Sequence, residues 1–334
     1  MKNYQEKLFS LGADIDQLSE LAAKYPMRIS SHYLNLIKDK DDAIWKQAVA
    51  SVEELNDDGL ADPLNEDHNG ELKCIVHRYA DRALFYSTCE CAMYCRFCTR
   101  KRKIGKEDKV TKEDWEKGFE YIRAHSEIRD VIISGGDPLT LSDTQLEYIV
   151  SSIRAIEHVQ IIRIGTRMPV VNPKRVTTKL ADMLKKYHPL YINTHFNHPD
   201  EITTESATAC DILSNAGIPL GNQSVLLKGV NDDVEIMKTL VQKLLCIRVK
   251  PYYIYMMDLV QGASHFRTSL QKGLDIIQGL RGYTSGMAVP HLIVDAPMGG
   301  GKIAIQPEGI MEIQENKQVK LKNYEGDYFY YPLN

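Results

Sequence analysis

Short runs of β-branched and apolar residues recur along most of the chain, at Ala83–Thr88, Asp130–Ser134, Gln160–Gly165, Leu190–Phe196, Pro219–Leu227, Lys250–Met256 and His291–Asp295. From Asp130 to Lys250 they return about every 30 residues, the length of one strand-plus-helix unit. Between them, apolar positions fall at helical spacing over Thr111–His125, Thr144–Ala155, Pro173–Tyr187, Glu205–Ala216, Asp233–Leu244 and Ser269–Leu280. The alternation predicts an α/β protein with a parallel sheet and right-handed crossovers. About six such units fit a partial (β/α)6-type barrel rather than the full eight. Functional groups then gather where the strands end. The cysteine-rich stretch after Thr88, Gly135-Gly136-Asp137, His195, Asp258 and Asp295 all fall at or just past such ends.

Residues 1–75 carry a different pattern, with helical spacing near Asp14–Lys24, Ser31–Lys38 and Asp42–Leu55 and few strand signals. The stretch Asp57–Leu72 holds turn residues at Asp57-Asp-Gly59, Asp62-Pro-Leu64 and Asn69-Gly70, and reads as a linker or surface loop. The expected organisation is a helical N-terminal subdomain with linker over 1–75, the barrel over 76–300, and a C-terminal segment over 301–334.

Composition narrows the function more than the fold. A net charge of −4 argues against nucleic acid as the main partner, because phosphate binding wants a basic surface. No apolar run approaches the roughly 20 residues needed to span a bilayer, so no membrane role is expected. The first residues lack the apolar core of a signal peptide. Seven cysteines, clustered rather than spread, suit a reducing, cytoplasmic setting. Cys74, Cys210 and Cys246 stand singly and read as buried thiols or bystanders.

The cluster of thiols carries the chemistry. Cys91-Ala-Met-Tyr-Cys95-Arg-Phe-Cys98 places three within one loop, with Cys89 just upstream and the basic run Arg100–Lys103 just after. Three thiolates can hold three irons of a [4Fe–4S] cube and leave the fourth open to a small ligand. A structural zinc site needs a fourth ligand, and no second C-x2-C or His pair is present to give it. The ligand count favours the cluster over zinc.

A second constellation is Asp295-Ala-Pro-Met-Gly299-Gly-Gly-Lys302. Consecutive glycines let a backbone approach a phosphate. The lysine after them suits either a phosphate contact or a Schiff base to pyridoxal phosphate. Ile303 follows Lys302, which speaks against a P-loop. A plain glycine turn with a solvated lysine is the bland alternative.

The three-thiol loop resembles the cluster motif of the radical S-adenosylmethionine superfamily. Together with the glycine–lysine segment, it resembles the lysine 2,3-aminomutase family. The likeness extends through Pro26–Ile29, His77–Arg82, Ser134–Leu139, Thr166–Val171, Thr194–Pro199, Leu220–Asn231, Pro251–Tyr255, His265–Thr268 and Leu280–Gly286. It implies an isomerase using a [4Fe–4S] cluster, S-adenosylmethionine and pyridoxal 5′-phosphate. Cys91, Cys95 and Cys98 would ligate iron, and Lys302 would be the catalytic lysine holding pyridoxal phosphate beside Gly299, Gly300 and Gly301. Ser134, Gly135, Gly136 and Asp137 would line S-adenosylmethionine. Arg82, and after it Arg78, would serve the cofactor side, while His195 and Gln223 would belong to the pocket. Arg100 would grip the substrate α-carboxylate, its planar fork matching two oxygens. Asp258 and Asp295 would hold a substrate ammonium, since two buried anions repel unless a cation lies between them.

The implied reaction moves the α-amino group of L-lysine to the β-carbon. The same chemistry on ornithine, arginine, glutamate or a peptide-bound lysine is the alternative, with a non-catalytic iron–sulfur or zinc module behind it. An electron donor for the cluster is implied as a partner. Three features depart from the best-known lysine enzymes. Phe97 stands where many have His. Met256, Met257 and Met298 put thioethers beside the expected substrate segments. A C-terminal cysteine extension for an intersubunit zinc is missing from the sequence, which leaves the form of any homo-oligomer open.

Overall fold

The computed structural model describes residues 4–55, 59–68, 72–105, 109–307, 310–314 and 318–332. Of the expected linker turns, Asp57, Asp58, Asn69 and Gly70 lie outside the described residues, as do Leu333 and Asn334 of the C-terminal segment.

Four short helices come first: α1 (Gln5–Ser10), α2 (Ile15–Lys24), α3 (Ser31–Leu36) and α4 (Ala43–Ala48). The pattern over Asp42–Leu55 is not one helix. Val49 leaves α4 in extended conformation, and a single 3-10 turn, Val52–Leu55, follows. Strand β1 (Ile75–Tyr79) turns back on β2 (Arg82–Thr88). Then come α5 (Lys112–Ala124), β3 (Asp130–Gly135), α6 (Asp143–Arg154), β4 (Ile161–Gly165), the short α7 (Met168–Val171), α8 (Thr178–Leu184) and β5 (Leu190–Thr194). The chain continues through α9 (Thr204–Asn215), β6 (Leu220–Leu226), α10 (Val234–Cys246), β7 (Val249–Met256), α11 (Leu270–Leu280) and β8 (His291–Ala296). Ser, Thr or Asp side chains cap α5, α6, α8, α9, α10 and α11, so each helix starts where its sequence supplies an acceptor for the free N–H groups. The single helix expected over Pro173–Tyr187 is instead α8 flanked by 3-10 turns, with Pro173 opening the first of them.

Strands β2 to β8 are parallel and hydrogen-bonded in chain order. Helices lie between successive strands, as the alternation predicted. At one edge β1 is antiparallel to β2; at the other β9 (Gly301–Ile305) is antiparallel to β8. The pairing of β8 with β9 therefore carries the sheet across residue 300, and Lys302 sits within it, opposite Asp295. Strands β10 (Ile310–Gln314), β11 (Gln318–Lys322) and β12 (Tyr328–Pro332) form a separate antiparallel sheet.

Burial alternates along the inner strands. In β3, Val131 and Ile133 are buried while Asp130, Ile132 and Ser134 are half-buried; β4 and β6 repeat the pattern. The fully buried set packs against the helices, and the other set lines a central cavity of about 1070 Å3. The two sheet edges approach without pairing strand to strand. Side chains bridge them: the backbone N–H of Lys302 donates to Tyr79 Oη at 3.0 Å, and Arg78 Nε donates to the carbonyl of Gly299 at 2.8 Å.

The N-terminal helices share the barrel's core through Tyr33, Ile44 and Trp45. They also hold the cysteine loop, since Tyr94 N–H donates to Arg28 O and Arg96 N–H to Gln47 O. Arg96, 2% exposed between two of the cysteines, forks onto the buried carboxylate of Glu54, which Lys101 also contacts at 3.0 Å. Among the described residues, no helix is long and apolar enough to cross a membrane.

Candidate active site

The loop after β2 carries the three thiols, and Cys91, Cys95 and Cys98 all line the central cavity; Cys89 does not. Among the described residues, no three His, Cys, Asp or Glu side chains are grouped as ligands of one metal ion. Each thiolate of a cube takes its own iron, so the cysteines need to share a space and not a point. Two donors already face the sulfurs. Arg167 Nη1 lies 2.9 Å from Cys95 Sγ, and the N–H of Arg100 lies 3.3 Å from Cys98 Sγ. Burial, then neighbouring Asp137 and the other thiols, raises the thiol of Cys91; burial pushes Cys98 up to about 11. Loading iron must therefore displace protons. Donors aimed at sulfur and three thiols facing one space fit an iron–sulfur cluster.

Gly135 and Gly136 stand where the end of β3 presses against this loop. A Cβ on Gly135, whose φ is +134°, would meet Thr88 O at 2.3 Å, and one on Gly136 would meet Glu90 O at 2.2 Å. Close backbone packing thus demands glycine there, whatever ligand lies beyond. Asp137 lines the cavity, but its carboxylate is engaged by Thr166 Oγ1 at 2.6 Å, Arg167 N–H at 2.7 Å and Leu139 N–H at 3.0 Å. It fixes the turn after β3. Burial still raises its pKa against those bonds.

His195 follows β5 and lines the cavity with Gln223 of β6. Burial, reinforced by Arg167, pushes the imidazole down to about 3, so it stays neutral. Its Nε2 is buried without a partner. An orphaned ring nitrogen on the cavity wall suits a polar ligand such as S-adenosylmethionine.

Arg100 is already engaged. Nε lies 3.1 and 2.9 Å from the two oxygens of Glu66, and Nη2 is 2.6 Å from Oε1. Nη1 reaches Ser134 Oγ and Gly135 O, both at 3.3 Å. Burial raises Glu66, but Arg100, Arg102 and Lys103 outweigh it and hold the carboxylate below its usual range. Within the stretch read as a linker or surface loop, residues 62–67 form a charged clasp, with Asp62 and Asp67 on Arg102 and Asp67 also on Lys103. Glu66→Ala strands the guanidinium of Arg100 and is expected to cost about 3–5 kcal/mol of stability, as for a broken buried ion pair. Denaturant unfolding would check it, a loss under about 1 kcal/mol showing the pair to be a surface-like contact.

Across the cavity lie the two aspartates. The Asp295 side chain is 6% exposed, with Oδ2 2.8 Å from Lys302 Nζ and Oδ1 3.5 Å from Arg78 Nη1. Burial, then the charge of Asp295, pushes Asp258 up to about 7 from an ordinary 3.8, while Lys302 pulls it back. The ammonium of Lys302 thus stands in this structure where two anions call for a cation. Its Nζ also lies 5.6 Å from the centre of the Tyr255 ring. Arg78 Nη2 is buried without a partner. A lysine Nζ on the same carboxylate as an arginine with an orphaned N–H fits a carbonyl-bearing phosphate such as pyridoxal phosphate.

Most of the predicted residues share this one cavity: the three cysteines, Arg82, Arg100, Ser134, Gly135, Gly136, Asp137, His195, Gln223, Asp258, Asp295 and Lys302. Gly299, Gly300 and Gly301 lie outside its lining; Gly299 (φ +91°) and Gly301 (φ +95°) shape the turn that feeds Lys302 into β9. Arg82 pairs with Asp81 at 2.8 Å and covers the Tyr79 ring, so Arg78 has the better-placed free donor. None of the three methionines lines the cavity. Met298 is exposed, and Met257 packs with Phe97 and Phe266. Tyr252, Tyr253 and Tyr255 occupy that wall instead. The sequence reading also passed over Glu66 and the contact of Arg167 with Cys95; an acidic segment facing the basic run 100–103 was the available signal for the first.

Comparison with known proteins accords with this geometry. Residues 85–240 match the radical SAM superfamily, and residues 277–333 match the C-terminal region described as lysine-2,3-aminomutase. The L-lysine 2,3-aminomutase of Clostridium subterminale is 52% identical over 305 residues, covering 90% of this chain and 73% of that one. The enzyme of the same name from Methanococcus maripaludis is 53% identical, covering 90% and 71%. The glutamate 2,3-aminomutase of Clostridioides difficile is 46% identical, covering 97% and 81%. The chain belongs to the lysine 2,3-aminomutase family of radical S-adenosylmethionine enzymes, which work with a [4Fe–4S] cluster, S-adenosylmethionine and pyridoxal phosphate.

Proposed function

We propose that this protein moves the amino group of L-lysine from the α- to the β-carbon, giving β-lysine. Overall similarity does not choose the substrate, because lysine and glutamate enzymes are both close relatives. The observation that carries the choice is the pair Asp258 and Asp295, one driven up to about 7 beside the other, with a lysine ammonium on the second. A third carboxylate, from glutamate, would have no partner there.

When bound, the cluster with S-adenosylmethionine supplies a carbon radical, and pyridoxal phosphate supplies the carbonyl group on which the amino nitrogen migrates. Cys91, Cys95 and Cys98 would hold the first, and Lys302 with Arg78 the second. Arg100, with its Nε edge on Glu66 and Nη1 on Ser134 and Gly135, would offer the outer N–H of Nη2 to the substrate α-carboxylate. With Nζ of Lys302 turned toward the cofactor carbonyl, Asp258 and Asp295 would be left to the substrate ammonium. The cavity walls would shield the reacting carbons from bulk water. An electron donor is required for the cluster.

Competition among lysine, ornithine, arginine and glutamate tests the reading. Lysine should be turned over best and glutamate not at all; preference for glutamate would contradict it. Asp258→Asn should weaken lysine binding by roughly 2–5 kcal/mol, as when one partner of a buried charge pair is truncated. Binding should also depend on pH. A cation favours ionised Asp258, so lysine uptake below pH 7 releases a proton, and affinity rises toward pH 7 and then levels. In the ligand-free protein the sign reverses: a raised acid stabilises the fold below pH 3.8, a contribution lost as pH climbs through about 7. Calorimetry in two buffers of different ionisation enthalpy would detect the proton; none released at pH 6 would remove Asp258 from the site.

A further inference from the structure

Arg167 lies just past β4, 7% exposed, and its guanidinium is spent on the protein. Nε donates to the carbonyl of His195 at 3.1 Å. Nη2 donates to Glu201 Oε1 and Gln47 Oε1, each at 2.7 Å. Nη1 is aimed at Cys95 Sγ, 2.9 Å away. The ring of Phe97, one residue before Cys98, lies 5.2 Å from the guanidinium carbon. Glu201 is fully buried, and its other oxygen accepts the N–H groups of Asn197 and His198 at 2.5 and 3.0 Å. Tyr33 Oη donates to Glu201 Oε1 at 2.7 Å, and Asn197 Nδ2 to Gln47 Oε1 at 3.0 Å. The network leaves Arg167 no freedom to reach a substrate, yet places one N–H on a thiol of the cluster loop.

We propose that Arg167 is a positioning residue for the iron–sulfur cluster, setting the orientation of Cys95 Sγ and raising the reduction potential, with Glu201 as the counter-charge that moderates it. Reduction adds negative charge that spreads onto the sulfurs. A hydrogen-bond donor and a positive charge beside a ligating sulfur favour that state. In a water-poor interior the effect is larger than at a surface. The carboxylate of Glu201 lies one guanidinium further from the sulfur, so it opposes the effect more weakly. The proposal rests on the assignment of Cys91, Cys95 and Cys98 as iron ligands.

The test is a redox titration of anaerobically loaded full-length protein, followed by electron paramagnetic resonance, with iron and sulfide measured for each variant. Arg167→Gln should move the midpoint to more negative potential and Glu201→Gln to more positive potential, while Arg167→Lys should recover part of the shift. A residue that merely supported the loop would move both neutral variants the same way, through loosened packing. Should Arg167→Gln fail to fold, the pair Glu201→Gln and Arg167→Lys still decides. Loaded variants with unmoved midpoints, or shifts of one sign, overturn the proposal alone. Wild-type protein that takes up no iron overturns the cluster assignment, and the proposal with it.

Discussion

Replacement of any one of Cys91, Cys95 or Cys98 by Ala is expected to abolish both iron binding and turnover, whereas Cys89→Ala should leave both largely intact. The three thiols share the cavity and Cys89 does not, although it stands only one residue from Cys91. With one of the three removed, a cube keeps two protein ligands, and the donors on Cys95 and Cys98 no longer act on a complete set. The expected reading is near-stoichiometric iron and sulfide in wild type and Cys89→Ala, and little in the other three. Iron lost from Cys89→Ala but kept by Cys91→Ala would redraw the site.

The second large effect is expected at Lys302. Lys302→Ala should eliminate covalent attachment of pyridoxal phosphate and with it turnover, while iron content is unchanged, because the cysteines sit on another loop. Borohydride reduction of the loaded wild type followed by peptide mapping should place the label on Lys302; a label elsewhere, or none, would contradict the assignment. The variant carries a second signature. Lys302, ahead of Arg100, pulls Asp258 down, so its loss should raise that carboxyl further above about 7. Glu66 and Asp295 would remain nearby as anions.

The barrel was readable from sequence because its inner strands are short, β-branched runs separated by capped helices, and each run was located to within a few residues. Edge strands were not. Ile75-Val-His-Arg-Tyr79 and Gly301-Lys-Ile-Ala-Ile305 interrupt short apolar runs with charge or glycine, since an edge strand needs to be buried only in part. The site was readable where chemistry needs unusual residue types close in sequence, as in the cysteine loop. It was opaque where contacts span the chain. Glu66 meets Arg100 across 34 residues, and Arg167 meets Cys95 across 72. No local pattern carries such pairings. The glycines show a further limit. Gly135 and Gly136 answer to a backbone packed within 2.3 Å of where a Cβ would stand, which the sequence cannot distinguish from a ligand's approach.

Isotope tracing tests the central claim most directly. Reduced, cluster-loaded protein with S-adenosylmethionine and pyridoxal phosphate is given L-lysine carrying 15N at the α-amino group, and the product is examined by nuclear magnetic resonance. β-Lysine with the label on carbon 3 is the predicted result. Label retained on carbon 2, or released as ammonia, would contradict the proposed migration on lysine.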